Sequence, residues 1–243
     1  MIALDDLKKL HQKKYRYELG YFLVEGEHLI SELERAAENN PALLASELFI
    51  TDRYQGYSSP LRRHEISEKR MKQLSDTQAP QGIVACVPMS AVQSLSESAS
   101  HERAVYLYEI QDPGNLGTIL RTMAWFGRSR CLLSPGSVDP FNSKVLRASM
   151  GAIFHVPLEL DVGIDELMQR YADIACLDMN GASLKSAAFH HSACLAFGNE
   201  ARGVPQELST SSQVTHYTIA GCGQIDSLNL ASTVNMCLYE INR

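Results

Sequence analysis

From residue 104 to the C-terminus, short apolar runs alternate with segments of helical period, and this alternation limits the possible folds more than any other feature of the chain. The pattern predicts strands over 104–110, 130–133, 153–156, 174–178, 193–197 and 214–219. Helices are predicted over 116–126, 143–150, 164–171 and 228–240. Several of the strand runs are apolar throughout, as are strands covered on both faces of a parallel sheet. Ligands of such sheets sit at the carboxyl ends of the strands. Chemistry is therefore to be sought in the loops that follow them.

Three of those loops are distinctive. The first, Gln111-Asp112-Pro113-Gly114-Asn115-Leu116-Gly117, leads into an apolar helix, and Asn115 is positioned to cap it. That helix carries Arg121, a lone cation that calls for an anion, either an internal carboxylate or a substrate phosphate. In the second loop, Gly198 and Gly203 bracket Glu200 and Arg202, and Pro205 suits a helix start. The third runs through Gly221-Cys222-Gly223 to Asp226-Ser227, two capping residues, and on to Asn229. Glycines there let a ligand approach bare backbone. Each loop taken singly also reads as an ordinary strand-to-helix connection. The sequence has no G-x-G-x-x-G, no G-x-x-x-x-G-K-[ST] and no G-x-S-x-G, which argues against dinucleotide, P-loop and nucleophile-elbow chemistry.

The first ninety residues form a separate small α/β pattern. Helices are predicted over 4–14, 27–38 and 67–74, and strands over 21–26, 48–50 and 82–87, with His28, Leu29, Leu33 and Ala36 on the inner face of the second helix. A serine-rich stretch at 91–103 reads as a linker, giving units of 1–90 and 104–243. A length of 243 residues fits one or two domains. No apolar run is long enough to span a membrane, and the N-terminus lacks the order of a signal peptide, so the chain reads as cytoplasmic. Six scattered cysteines without a C-x-x-C pair argue against structural zinc and a disulfide framework, and no metal is expected. A net charge of −6 argues against indiscriminate nucleic-acid binding. Local basic stretches remain around Lys13-Lys14 and Arg62-Arg63. Each also fits a solvated helix or loop face.

Three segments in this order, Asn115-Leu-Gly-Thr-Ile-Leu-Arg121-Thr, Phe197-Gly-Asn-Glu200-Ala-Arg-Gly203 and Ser227-Leu-Asn229, closely resemble the motifs of the SpoU/TrmH branch of the SPOUT RNA methyltransferases. The first unit resembles the ribosomal-protein-like substrate-binding domain that often precedes them. The resemblance implies a C-terminal α/β trefoil-knot domain with a mostly parallel sheet, a homodimer, and S-adenosylmethionine as cofactor. It implies that Phe197, Gly198, Gly203, Ile219, Ser227 and Leu228 line the cofactor pocket. Asn115, Arg121, Glu200 and Asn229 would surround the reacting centre, and Lys13, Lys14, Arg62 and Arg63 would meet the RNA.

The implied reaction is methylation of a ribose 2′-hydroxyl, in ribosomal RNA rather than transfer RNA. The alternative is an RNA-binding protein that keeps the knot without catalysis. A guanidinium is too weak a base to take the hydroxyl proton at neutral pH. Arg121 is therefore expected to clamp phosphate and ribose, with Glu200 orienting it as a bidentate partner. Two positions depart from the family pattern. Ala220-Gly221 stands where Pro-Met is common after the isoleucine, and Ala231 stands where serine is common.

Overall fold

The computed structural model describes residues 4–77, 79–93, 103–225 and 227–243. Two sheets organise it. The first contains β1 (Tyr21–Glu25), β2 (Glu47–Ile50), β3 (Arg62–Glu65) and β4 (Ile83–Pro88) in the order β1-β4-β2-β3. β4 is antiparallel to β1 and β2, and β3 runs parallel to β2. Five helical segments accompany this sheet: α1 (Leu4–Leu7), α2 (Lys13–Leu19), α3 (Glu27–Ala37), α4 (Glu68–Leu74) and α5 (Met89–Gln93).

The second sheet contains β5 (Arg103–Leu107), β6 (Ser129–Leu133), β7 (Leu158–Glu159), β8 (Ile174–Ser183), β9 (Cys194–Phe197) and β10 (Val214–Thr218) in the order β10-β8-β9-β5-β6-β7. All of its pairings are parallel. Its helices are α6 (Pro113–Phe126), α7 (Ser143–Ser149), α8 (Ile164–Arg170), α9 (Ala187–His191), α10 (Gln206–Ser209) and α11 (Leu230–Asn242). The continuous apolar runs are buried here, as double-sided coverage requires: β6 and β9 contain only buried residues. β5 is the strand from which the order departs in both directions, so the crevice of an open parallel sheet falls between the carboxyl ends of β5 and β9.

The structure departs from the sequence expectations at several points, each with a physical cause. The apolar run at 153–156 is not a strand. Met150 takes a left-handed conformation at the end of α7, the chain turns through a 3₁₀ segment over Ala152–Phe154, and a two-residue strand follows Pro157. Buried turns and buried strands have the same apolar signature. The helix expected over 4–14 breaks into α1, a 3₁₀ turn and α2. β3 lies in the basic stretch Arg62-Arg63-His64-Glu65, where an edge strand shows no apolar alternation. His28 is exposed, while Leu29, Leu33 and Ala36 are buried as expected. The expected linker begins inside α5, where Ala91 and Val92 are buried, and the rest of it up to 102 lies outside the described residues.

One apolar cluster runs through both units. It joins Phe22, Val24, Leu29 and Ile30 of the first to Phe141, Leu146, Ile153 and Phe154 of the second. Phe22 and Phe141 meet with ring centroids 4.8 Å apart. Beside them the Arg16 guanidinium, only 5% exposed, donates to the Asp139 carboxylate, which is 6% exposed. Its remaining Nη1 donates to the carbonyls of Leu10 (2.7 Å) and His11 (3.0 Å). The second Asp139 oxygen accepts from the Phe141 N–H and the Tyr17 hydroxyl.

Candidate active site

The site is built from the loops after β5, β9 and β10, which open on the same edge of the parallel sheet. The loop after β5 ends in α6, which begins three residues before the expected start. Pro113 occupies the first helical position, and the Asp112 carboxylate accepts from the Asn115 N–H at 2.7 Å. Asp112 is therefore the cap, not Asn115, and the Asn115 side chain is released for other work. Deeper in the same helix Gly117 lies against α7, where an added Cβ would fall 2.4 Å from the Ala148 Cβ and 2.8 Å from the Ser149 nitrogen. Only glycine permits that approach.

The loop after β9 is closed on itself. Asn199 and Gly203 exchange backbone hydrogen bonds of 2.9 Å, and the Asn199 side chain accepts from the Ala201 and Arg202 N–H groups. A Cβ on Gly198 would stand 2.3 Å from the Gly203 carbonyl carbon, so this turn requires a bare residue there. Its tip presents Glu200. The carboxylate accepts from the backbone N–H groups of Gln111 (3.1 Å) and Asp112 (3.3 Å) and from Asn115 Nδ2 (3.4 Å). Asn229, from the third loop, donates through Nδ2 to Asn115 Oδ1 at 2.9 Å. Its own Oδ1 accepts from the Ser232 N–H and caps α11. The expected start of α11 at residue 228 thus moves to Leu230, and Asp226, expected as a cap, lies outside the described residues.

Asn115, Glu200 and Asn229 therefore form one hydrogen-bonded chain from three separate loops. Arg121 does not join it. It is exposed, and its guanidinium makes no hydrogen bond or ion pair with another described residue. Six residues beyond Asn115, it points about 120° away around α6. The expected Glu200–Arg121 pair is absent because Glu200 is taken up by the backbone of the first loop.

Residues 102–239 match the model of the SpoU rRNA methylase family. The chain belongs to that family. Residues 4–85 match the MRM3-like substrate binding domain. The chain is 32% identical to the 23S rRNA (guanosine(2553)-2′-O)-methyltransferase RlmP of Bacillus subtilis, across 97% of this chain and 94% of that one. Among solved structures it resembles an RNA methyltransferase of the TrmH family from Porphyromonas gingivalis, at 28% identity and a TM-score of 0.80 over 100% of this chain and 98% of that one. It also resembles an AdoMet-bound rRNA methyltransferase from Sinorhizobium meliloti, at 26% identity and a TM-score of 0.77 over 98% and 93%.

In this SpoU-family chain the residues expected at a cofactor pocket sit at the carboxyl ends of β9 and β10. Phe197 is buried, and its carbonyl accepts from the Tyr108 N–H at 2.9 Å. Gly198 and Ile219 are half-buried, Gly203 is exposed, and Ser227 and Leu228 are exposed. Ile225 and Met179 are also exposed. Ala231, the departure after Asn229, is buried in the core.

The four residues expected to meet RNA are exposed, but they do not form one patch. Lys13 and Lys14 lie on α2, which runs into β1, with their ammonium groups 5.6 Å from the Tyr17 and Tyr15 rings. Arg62 and Arg63 lie on β3, at the other edge of the four-stranded sheet. As successive strand residues they face opposite sides. Arg63 also donates to the Tyr57 carbonyl.

Sequence reasoning missed two residues that shape the site. Asn199 is buried and fixes the loop that carries Glu200; its asparagine-turn pattern was a readable signal. Glu109 takes a left-handed conformation (φ 45°), pairs with Arg202, and accepts through its carbonyl from Asn199 Nδ2 at 2.7 Å. Nothing local in the sequence marks that role.

Proposed function

We propose that this chain is a 2′-O-ribose methyltransferase that uses S-adenosylmethionine to methylate ribosomal RNA. The observation that carries this reading is the chain of hydrogen bonds from Asn229 through Asn115 to Glu200, which ties together three loops otherwise far apart in sequence. The cofactor supplies a methyl group on a positively charged sulfur. Phe197, Gly198, Gly203, Ile219, Ser227 and Leu228 are the residues to hold it.

Methyl transfer to a ribose oxygen is an in-line displacement, so the protein's work is positioning. Glu200 fixes the loop before α6 through two backbone N–H groups, and so fixes Asn115. Asn229 caps α11 with one end of its amide and steadies Asn115 with the other. Arg121 clamps the phosphate and ribose of the substrate, stabilising charge that develops on the attacking oxygen.

The reading extends to a homodimer. On α6 the residue four beyond Arg121 is Trp125, 84% exposed, and α11 leaves Met236 and Tyr239 exposed nearby, with Thr122 Oγ1 bonded to Asn235 at 2.7 Å between the helices. An uncovered apolar face of this kind marks a contact surface. In this reading a second copy seated there brings Arg121 toward the partner's site, consistent with its having no anionic partner among the described residues. The domain reading is 1–90 for RNA, 91–103 as linker and 104–243 for transfer. After β10, at one edge of the sheet, the chain returns past β8 and β9 to set Asn229 beside Asn115. We read that return as supporting the trefoil knot that the family resemblance implies.

The deciding experiment is transfer of a labelled methyl group from S-adenosylmethionine to total RNA from cells lacking this gene, followed by mapping. Label at a single ribose of ribosomal RNA is expected. Cofactor binding without any labelling of ribosomal RNA or ribosomal particles would refute the catalytic reading.

A further inference from the structure

We infer that the cleft between the two units receives one unstacked nucleotide of the RNA, adjacent to the methylated one, with its phosphate held by Lys144 and Arg147. The inference rests on the reading of the chain as an RNA methyltransferase. The cleft has a volume of about 320 Å³. That is the small end of the range for ligand pockets, with room for a single nucleotide and none for a helix. Its apolar walls include Leu10, Leu29 and Leu74 from the first unit and Phe141 and Leu146 from the second. Its ionisable lining is His11, Arg16, Glu25, Asp76, Lys144 and Arg147; Arg16 is taken by Asp139, and Glu25 accepts from Ser75 and Thr77. A small cleft with apolar walls and cations in its lining suits a base with its phosphate, and RNA is read mainly through bases splayed out of the stack.

The position of the cleft separates it from the cofactor. None of the six residues assigned to the cofactor lines it, whereas Pro113 does. Pro113 opens α6, the helix that carries Asn115 two residues on, so the cleft abuts the start of that helix.

The charges are also arranged for an anion. Lys144 is exposed, and its ammonium group has no hydrogen bond or ion pair with a described residue. Arg147 faces Asp76 at 3.7 Å, a long contact that leaves most of its five N–H donors available. Asp76 sits on a fixed loop: Ser75 Oγ, Thr77 Oγ1 and the Asp76 N–H all donate to Glu25. It also accepts from Ser143 Oγ and stands 4.0 Å from His11. The carboxylate thus aims Arg147 without closing on it. The Arg16–Asp139 pair and the Phe22–Phe141 contact hold the two walls together, so the cleft exists before RNA arrives.

The test is Lys144→Glu in the full chain, with ribosomal RNA from cells lacking this gene as the probe. Expected are a fall in RNA affinity of about tenfold or more and a salt dependence shallower by about one phosphate contact. Binding of S-adenosylmethionine, measured by equilibrium dialysis, should be unchanged. Arg35→Glu makes the same charge change outside the cleft and should leave RNA affinity within about twofold. With 4-thiouridine in the RNA, photo-crosslinks should map to the segment 141–147. If the wild type binds both cofactor and RNA while Lys144→Glu binds RNA no worse than Arg35→Glu, this inference fails and the functional reading stands. A wild type that binds no RNA overturns both.

Discussion

Replacing Asp139 with alanine tests whether the two units act as one folded body. Arg16 and Asp139 are each buried to more than nine-tenths, and the carboxylate accepts from four donors: Arg16 Nε and Nη2, the Tyr17 hydroxyl and the Phe141 N–H. Asp139→Ala strips them all and leaves the guanidinium with only the carbonyls of Leu10 and His11. Removing one partner of a buried pair costs about 3–5 kcal/mol, because a charge is left without compensation. At about 2–4 °C per kcal/mol for a chain of this size, a loss near 4 kcal/mol lowers Tm by about 8–16 °C. The double variant Arg16→Met, Asp139→Leu removes both charges and should regain most of that loss. The assay is thermal unfolding followed by circular dichroism at one fixed protein concentration. A fall in Tm of less than about 3 °C for Asp139→Ala, or additive effects in the double variant, would refute the reasoning.

Five further outcomes are expected. Glu200→Gln should lower kcat by about a hundredfold or more while cofactor affinity holds, since it loosens the loop that positions Asn115; equal turnover would remove Glu200 from the site. Gly117→Ala should destabilise by about 1–3 kcal/mol in a denaturant titration, because its Cβ meets the α7 backbone; an unchanged midpoint would show that α6 and α7 can part freely. If the proposed homodimer forms through this face, Trp125→Glu should sediment as a monomer and lose transfer; a dimer persisting in that variant would place the contact elsewhere. Burial pushes the thiols of Cys86, Cys176 and Cys237 up to about 12, so a maleimide at pH 8 should label exposed Cys222 and spare those three. Their folded values lie above the ordinary value of 9, so the folded state keeps protons that the unfolded chain releases. Stability should therefore decline as pH rises from about 9 to about 12, and a flat profile over that window would contradict the burial.

The parts of this protein readable from sequence are those fixed by local pattern. The apolar runs of β6 and β9 and the helical period of α6 and α11 identify a parallel α/β sheet because burial on both faces leaves a direct trace. Asn115, Glu200 and Asn229 were legible as a group through their motifs. Their wiring was not. Sequence spacing does not reveal that Asp112 takes over the capping role, nor that Glu200 spends its oxygens on backbone N–H groups rather than on Arg121. The 3₁₀ turn at Ala152–Phe154 and the edge strand at Arg62–Glu65 were misread because burial without an edge and an edge without burial both break the usual periodicities. Lys144, Arg147 and the Arg16–Asp139 pair were invisible because docking of the two units creates them, and 123 positions separate Arg16 from Asp139.

The apolar cluster shared by the two units limits how such proteins can be recombined. A module joined only by a tether can be exchanged for another with a different target. Here a replacement unit would have to supply an aromatic ring against Phe141, an arginine for Asp139 and an apolar helix face over Ile153 and Phe154. A chimaera that ignored these demands would expose a sticky apolar wound on the transferase half. Retargeting is easier by changing side chains at the cleft mouth than by swapping the whole unit.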